Sequence, residues 1–85
     1  MAIKKLNIAV VGSTGSVGKT SLKIFKEYKS KFNIELLICD QNLKEITKQI
    51  KLYDPKYVFV NNENAYKAIK LKNFKKKIFF FNNFS

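Results

Sequence analysis

The stretch that decides the fold is VVGSTGSVGKTS, residues 10–21, in which Gly12, Gly15 and Gly18 recur at intervals of three. It continues the apolar run LNIAVV, which is typical of a strand buried on both faces. Between a strand and a helix, such glycines let the chain turn sharply, let the backbone approach a phosphate and let helix and strand pack closely. Backbone N–H groups at the helix start then face the phosphate. We therefore predict a phosphate-binding turn at residues 12–18, called the glycine loop below.

Two kinds of phosphate loop are compatible with these residues. Triphosphate-binding loops follow the pattern G-x-x-x-x-G-K-[ST], and Gly18, Lys19 and Thr20 match its end, whereas Ser13 stands where its first glycine belongs. Dinucleotide-binding loops follow G-x-G-x-x-G, and the spacing here is G-x-x-G-x-x-G. The second apolar strand, which ends about 20 residues after the loop, favours the dinucleotide interpretation. A glycine turn that binds nothing is the third alternative.

Strand-like and helix-like segments alternate along the rest of the chain. Apolar runs predict four strands, and apolar residues at helical spacing predict three helices, the first of them capped by Ser16. The predicted strands are 6–12, 32–40, 56–62 and 76–83, and the predicted helices are 17–31, 43–53 and 63–70. This βαβαβαβ alternation predicts one α/β domain, residues 1–85, with part of a Rossmann-like parallel sheet and helices on its faces. Right-handed crossovers lead us to expect the strand order 3-2-1-4.

The charge balance is strongly basic, with a net charge of +11 at pH 7. A basic chain invites a nucleic-acid-binding interpretation. All 17 basic residues, however, are lysines spread along the sequence, whereas recognition of phosphates and bases favours the arginine fork. Nucleic-acid binding is therefore an alternative function that the lysine usage disfavours.

Missing residue types narrow the chemistry further. The chain has no histidine, the commonest general base, and a single cysteine, Cys39, which excludes an internal disulfide and any multi-cysteine metal site. Leu37 and Ile38 precede Cys39, so we expect a small buried hydrophobic residue rather than a reactive thiol. No apolar run approaches the roughly 18 residues that a membrane span needs. We predict a soluble chain of the cytoplasm.

Residues 7–60, NIAVVGSTGSVGKTSLKIFKEYKSKFNIELLICDQNLKEITKQIKLYDPKYVFV, closely resemble the amino-terminal segment of the 1-deoxy-D-xylulose 5-phosphate reductoisomerase family. Residues 12–18 match that family's G-S-T-G-S-[IV]-G, and residues 55–57 match its later P-[KR]-Y. The resemblance extends over roughly residues 5–70, with both motifs in register. It implies the NADPH-binding portion of an oxidoreductase in the methylerythritol phosphate pathway of isoprenoid precursor synthesis.

The resemblance also implies which residues bind the cofactor. Gly12 opens the loop, and Thr14, Gly15, Ser16 and Val17 would contact the pyrophosphate and adjoining groups of NADPH. Lys19 has no direct role toward the phosphate in this interpretation, unlike in a triphosphate loop.

The turn after the second strand would hold the adenosine ribose and its 2′-phosphate. This ribose turn consists of Asp40, Gln41 and Asn42, of which Asn42 fits the family pattern. Gln41 stands where the family commonly has Lys, Arg or Ser and lacks a charge, and Asp40 places a carboxylate near a phosphate dianion. An acid at this position is typical of binding an unphosphorylated ribose, so NAD is an alternative to NADPH. Otherwise Asp40 would simply cap the next helix.

The family's reaction also needs a divalent metal, Mn or Mg, held by carboxylates of a later acidic motif. The six acidic residues here are scattered, and we expect no metal site and no catalytic residue in this chain. The sequence is thus interpreted as an amino-terminal fragment that is not catalytic alone. Its expected partners are the dinucleotide and either the missing remainder of the enzyme or a second copy. The alternative is a stand-alone P-loop-like module that binds a nucleotide.

Overall fold

The computed structural model describes residues 5–82 as four strands that alternate with three helices. The elements are β1 (Leu6–Val11), α1 (Ser16–Glu27), β2 (Phe32–Cys39), α2 (Leu43–Tyr53), β3 (Tyr57–Val60), α3 (Glu63–Lys70) and β4 (Phe79–Phe81). All neighbouring strands are parallel. The predicted α/β class and the βαβαβαβ alternation are confirmed.

The strands lie in the order β1-β2-β3-β4, so the predicted order 3-2-1-4 is wrong in the place of β4. The prediction correctly made β2 the neighbour of β1 and β3 the neighbour of β2, but β4 pairs with β3 instead of β1. Aromatic side chains provide the physical reason. The ring of Tyr57 lies 5.7 Å from that of Phe79, and the ring of Phe59 lies 5.3 Å from that of Phe81. These cross-strand pairs stabilise β4 beside β3.

The hydrophobic core lies on one face of the sheet, where all three helices contribute side chains. Its buried members are Val10, Leu22, Ile34, Leu37, Cys39, Ile46, Ile50, Val58, Val60, Ala65 and Ile69. Alternation directs every second side chain of β1 and β3 into this core, whereas an irregularity in the pairing of β2 with β1 makes Leu37 the next core residue after Ile34. The helices therefore cover one face of the sheet. Because the strands are parallel, their carboxyl ends lie at the same edge.

The opposite face of the sheet is apolar and open over residues 5–82. Val11 is 73% exposed, Phe79 46% and Phe81 40%, and the rings of Tyr57 and Phe59 are half-buried beside them. Parallel sheets normally have both faces covered, because their strands are apolar on both sides. These five residues define what is called the uncovered sheet face below.

The helix ends differ from the prediction at both ends of α1, which ends at Glu27 and not at residue 31. Gly15, with extended backbone at φ −82° and ψ 172°, is the N-cap of α1, and Ser16 is its first helical residue, so the predicted cap at Ser16 is wrong. The predicted stop of α2 is confirmed, because Asp54 adopts a left-handed φ of 47° before Pro55. None of the helices in the described part of the chain is long and apolar enough to cross a membrane.

Cys39 occupies the core at the end of β2, with 2% of its surface exposed. Burial, aided by the negative charge of Asp40, raises the pKa of its thiol from 9.0 to about 11. A thiol with such a pKa carries almost no thiolate at neutral pH and is therefore a poor nucleophile. The prediction of a small buried hydrophobic residue is confirmed.

Candidate functional site: the glycine loop

β1 leads into the glycine loop through Gly12, which turns the chain. Its φ of +66° lies in the left-handed region, which glycine adopts without a steric cost. The Gly12 carbonyl accepts a hydrogen bond from the Gly15 N–H at 2.9 Å, which closes the turn. The chain thereby reverses within four residues and enters α1.

Gly18 allows α1 to pack directly on this turn. A Cβ at this position would lie 2.1 Å from the Gly12 carbonyl oxygen and 2.7 Å from the Ser13 Cα, and both are backbone atoms. Any side chain would therefore push the helix away from the loop. Gly18 has the close-packing role expected of the third glycine.

Ser13 anchors the loop to two other elements. Its N–H donates to the Ile38 carbonyl of β2 at 3.0 Å, and its carbonyl accepts from the Gln49 Nε2 of α2 at 2.8 Å. Ser13 and Gln49 are both buried. The backbone of the loop is consequently held against the sheet and against a helix.

The start of α1 presents backbone donors that have no hydrogen-bond partner among residues 5–82. The first intrahelical hydrogen bond runs from the Lys19 N–H to the Gly15 carbonyl at 2.9 Å, so the N–H groups of Ser16 and Val17 precede it. Gly15 provides no side-chain cap, and the first turn has no acidic residue. Ser16 and Val17 are exposed. These N–H groups, at the positive end of the helix dipole, suit an anionic ligand.

Asp40, the first residue of the ribose turn, makes contacts with the end of β3. The Asn61 Nδ2 donates to the Asp40 Oδ1 at 3.0 Å, and the Asn62 N–H donates to the Asp40 carbonyl at 2.8 Å. The alternative that Asp40 caps α2 is wrong, because Asn42 is the cap and accepts from the Glu45 N–H at 3.1 Å. The Asp40 carboxylate is exposed and keeps a second oxygen as a further acceptor.

The fold brings the glycine loop and the ribose turn to the same edge of the sheet. Val11, the last residue of β1, pairs with Ile38 near the end of β2. Gln41 and Asn42 follow on the exposed surface of that edge. Ligands of open α/β sheets bind outside the carboxyl ends of the strands, which is where these two turns lie.

The two residues that a triphosphate loop would use have other contacts. The Thr20 hydroxyl donates to the Ser16 carbonyl at 3.0 Å within α1. The Lys19 Nζ lies 4.0 Å from the Glu45 Oε1 of α2. Both side chains are thus directed toward protein groups, which favours the dinucleotide interpretation of the loop.

Sequence reasoning missed Gln49 and Asn61. Gln49 lies three residues after Ile46 on α2, so helical spacing places it toward the core, where a polar side chain signals a buried hydrogen bond. Asn61 directly follows β3, the neighbour of β2, and parallel pairing brings the ends of the two strands together. Both signals were present in the predicted elements.

Potential metal ligands are dispersed over the described residues. No group of three or more His, Cys, Asp and Glu side chains within residues 5–82 is placed to hold a metal ion. The divalent metal that the family resemblance implies does not fit any donor set in this part of the chain.

Known proteins match this chain over most of its length. A sequence model of the 1-deoxy-D-xylulose 5-phosphate reductoisomerase family matches residues 8–82. The reductoisomerase of Pelagibacter ubique is 46% identical over 79 residues, which are 91% of this chain and 20% of that protein. The apicoplastic reductoisomerase of Plasmodium falciparum is 34% identical over 80 residues, which are 87% of this chain and 16% of that protein. This chain thus spans a fifth or less of the length of these curated relatives.

A solved structure shares the fold. The 1-deoxy-D-xylulose 5-phosphate reductoisomerase of Zymomonas mobilis in complex with NADPH matches with a TM-score of 0.83, at 18% identity, over 93% of this chain and 21% of that one. This likeness confirms the Rossmann-like parallel sheet. The family model covers nearly all described residues, and the glycine loop and the later motif fall inside the match. The chain belongs to the 1-deoxy-D-xylulose 5-phosphate reductoisomerase family.

Proposed function

We propose that residues 1–85 form the cofactor-binding part of a 1-deoxy-D-xylulose 5-phosphate reductoisomerase, an oxidoreductase of the methylerythritol phosphate pathway. The glycine loop binds the pyrophosphate of NADPH through the backbone N–H groups of Thr14, Ser16 and Val17, and the ribose turn contacts the adenosine ribose. NADPH supplies the hydride of the reaction when it is bound. We assign no metal-binding or substrate-binding residue to this chain. A cytoplasmic location stays a prediction.

One observation carries this proposal: the uncapped start of α1, held at the carboxyl edge of the sheet by the glycine packing. The exposed N–H groups of Ser16 and Val17 are donors without an intrahelical acceptor. Gly12 turns the chain, and Gly18 lets α1 pack directly on that turn. The NADPH in the Zymomonas mobilis reductoisomerase supports the choice of ligand.

Replacing Ser16 by proline tests the backbone donors selectively. Proline is favoured at the first position of a helix, and the extended backbone of Gly15 is the conformation that a residue before proline prefers. The Ser16→Pro chain should therefore keep its fold while it lacks one N–H group at the pyrophosphate. We expect NADPH affinity, measured by fluorescence titration, to fall about tenfold, the value of one hydrogen bond to a charged group.

Ser16→Ala is the matched control, because it removes the hydroxyl and keeps the N–H. The Ser16→Ala chain should therefore lose less NADPH affinity than the Ser16→Pro chain. Equal affinity of Ser16→Pro and Ser16→Ala would contradict binding through this N–H. Binding of magnesium-ATP that Lys19→Ala abolishes would instead favour a triphosphate loop.

A second cofactor, NADH, is favoured by the Asp40 carboxylate. One of its oxygens is held by Asn61, and the other can accept from a ribose hydroxyl. The same negative charge opposes the 2′-phosphate of NADPH. We therefore propose that Asp40 reduces the ratio of NADPH affinity to NADH affinity. An uncharged residue at position 40 would give a larger ratio.

The uncovered sheet face is the second binding surface in the proposal. Family members are several times longer than this chain, and further polypeptide of such an enzyme would cover this face. For the isolated chain, the occupant is a second copy, because β4 lies at an edge of the four-stranded sheet formed by the described residues and carries exposed aromatic side chains there. The net charge of +11 opposes that association, so salt should promote it.

We expect sedimentation analysis of the isolated chain to show dimers or larger species that increase with salt. Replacing Phe79 and Phe81 together by threonine should shift the midpoint of association to about 100-fold higher concentration, because two aromatic rings no longer become buried. Leu71→Thr is the control, since Leu71 is 85% exposed and lies after α3, away from this face. A monomer at high protein and salt concentration would refute this surface.

A further inference from the structure

Gln49 is a buried polar residue of α2 that contacts the glycine loop. It is 2% exposed, and its Nε2 donates to the Ser13 carbonyl at 2.8 Å and to the Glu45 Oε2 at 3.2 Å. Both partners accept hydrogen bonds only, so the amino group of the side chain must face them. The orientation of the Gln49 amide is thus dictated by its neighbours.

The bond from Gln49 fixes a peptide group of the loop. The carbonyl of Ser13 and the N–H of Thr14 belong to one planar peptide unit, which is trans here and therefore directs them to opposite sides. With its carbonyl held by Gln49 inside the protein, this unit directs the Thr14 N–H away from α2. Rotation of the unit would turn the N–H inward and the carbonyl outward.

The peptide units on either side are held separately. The Ser13 N–H is bonded to the Ile38 carbonyl, and the Gly15 N–H is bonded to the Gly12 carbonyl. Rotation of the unit between Ser13 and Thr14 would leave these two bonds in place, but it would move Thr14 toward a positive φ, which a β-branched residue avoids. Gln49 is the group that provides a hydrogen bond against this rotation.

Buried polar atoms of the same two residues support a role beyond packing. The Ser13 Oγ and the Gln49 Oε1 are buried and have no hydrogen-bond partner within residues 5–82. Such unpaired groups destabilise a fold, and an apolar side chain would fill this space at a lower cost. The presence of a glutamine here is explained when its amino group is needed by the loop.

We propose that Gln49 is a positioning residue which holds the Ser13 carbonyl inward and thereby aims the Thr14 N–H at the pyrophosphate of the cofactor. This inference rests on the proposed function of the glycine loop. An outward carbonyl would place a partial negative charge toward the pyrophosphate, so loss of Gln49 weakens binding both by removing a donor and by adding an acceptor. Gln49 itself does not touch the cofactor.

Gln49→Met is the direct test in the full chain, because methionine has a similar length and no donor. Below the unfolding temperature of both chains, we expect NADPH affinity to fall about tenfold. In the nitrogen-15 NMR spectrum without ligand, the amide resonance of Thr14 should move, whereas those of β3 should keep their positions. Ile50→Val, which loosens α2 beside Gln49 without touching the loop, should lose less than about twofold in affinity.

Glu45→Ala is a second variant. Because Glu45 is half-buried, this replacement does not require the hydrophobic core to accommodate a new side chain. It frees the Gln49 amide from its second acceptor, and affinity for NADPH should fall about threefold. Unmodified affinity in folded Gln49→Met would overturn the inference and leave the proposed function intact. Absence of NADPH binding by the unmodified chain would overturn the proposed function and this inference together.

Discussion

Replacing Gly18 by alanine is expected to remove a large part of the chain's free energy of unfolding. The added Cβ would lie 2.1 Å from the Gly12 carbonyl oxygen and 2.7 Å from the Ser13 Cα. These are backbone atoms of a turn that hydrogen bonds already hold, so they cannot move as a flexible side chain can. We expect a loss of about 3 kcal/mol or more in the free energy of unfolding. A domain of this size has only about 4–13 kcal/mol in total.

Gly15→Ala is the matched control for that experiment. A Cβ at Gly15 would lie 3.4 Å from the Gly12 carbonyl oxygen, an ordinary contact, and Gly15 has an extended backbone that alanine adopts. Urea unfolding followed by circular dichroism should show a native-like midpoint for Gly15→Ala and a midpoint at much lower urea concentration for Gly18→Ala. Equal unfolding midpoints for Gly18→Ala and the unmodified chain would refute the close packing of α1 on the turn.

The second large effect is expected at Asp40, where asparagine should strengthen the preference for NADPH over NADH by about 30-fold. Asparagine preserves the shape of the side chain and removes its negative charge. Two like charges about 4 Å apart, such as the Asp40 carboxylate and the 2′-phosphate, repel each other by about 1 kcal/mol in bulk water. The repulsion rises to about 4 kcal/mol at the lower effective dielectric constant typical of a protein surface. Solvent around this exposed carboxylate brings the effect toward the lower end of that range. The two affinities can be measured by calorimetric titration.

Glu27→Gln controls for the change in net charge. Glu27 ends α1 and lies near the start of β2, at the opposite end of the sheet from Asp40. Its replacement should change the ratio of NADPH to NADH affinity by less than about twofold. An unchanged ratio in Asp40→Asn would mean that the carboxylate points away from the ribose, and the specificity argument would be lost.

Much of the fold was predictable because local patterns carry it. Apolar runs marked the strands, the spacing of Leu43, Ile46 and Ile50 marked α2, and Pro55 marked its end. The position of β4 was not predictable from connection rules, because its placement depends on ring contacts of Phe79 and Phe81 across two strands.

The candidate site was predictable in part for the same reason. Gly12 and Gly18 have local roles, a positive φ and a close contact, that their spacing already implied. The contact between Gln49 and Ser13 joins residues 36 positions apart, so it depends on how α2 packs against the loop. The bond from Asn61 to Asp40 likewise depends on the pairing of β2 with β3. The place of Gln49 on the inner side of α2 signals a buried hydrogen bond, but its partner is set by tertiary packing and has no signature in that segment.

The measurement that tests the central claim most directly is an NMR titration of the nitrogen-15-labelled chain with NADPH. The account predicts saturable shifts of the amide resonances of Thr14, Ser16 and Val17, with smaller shifts at the ribose turn. Resonances at the far ends of the strands, such as Asn33 at the start of β2, should not move. Saturable binding that leaves the glycine loop unshifted, or an absence of binding, would contradict the assignment of this loop to the cofactor.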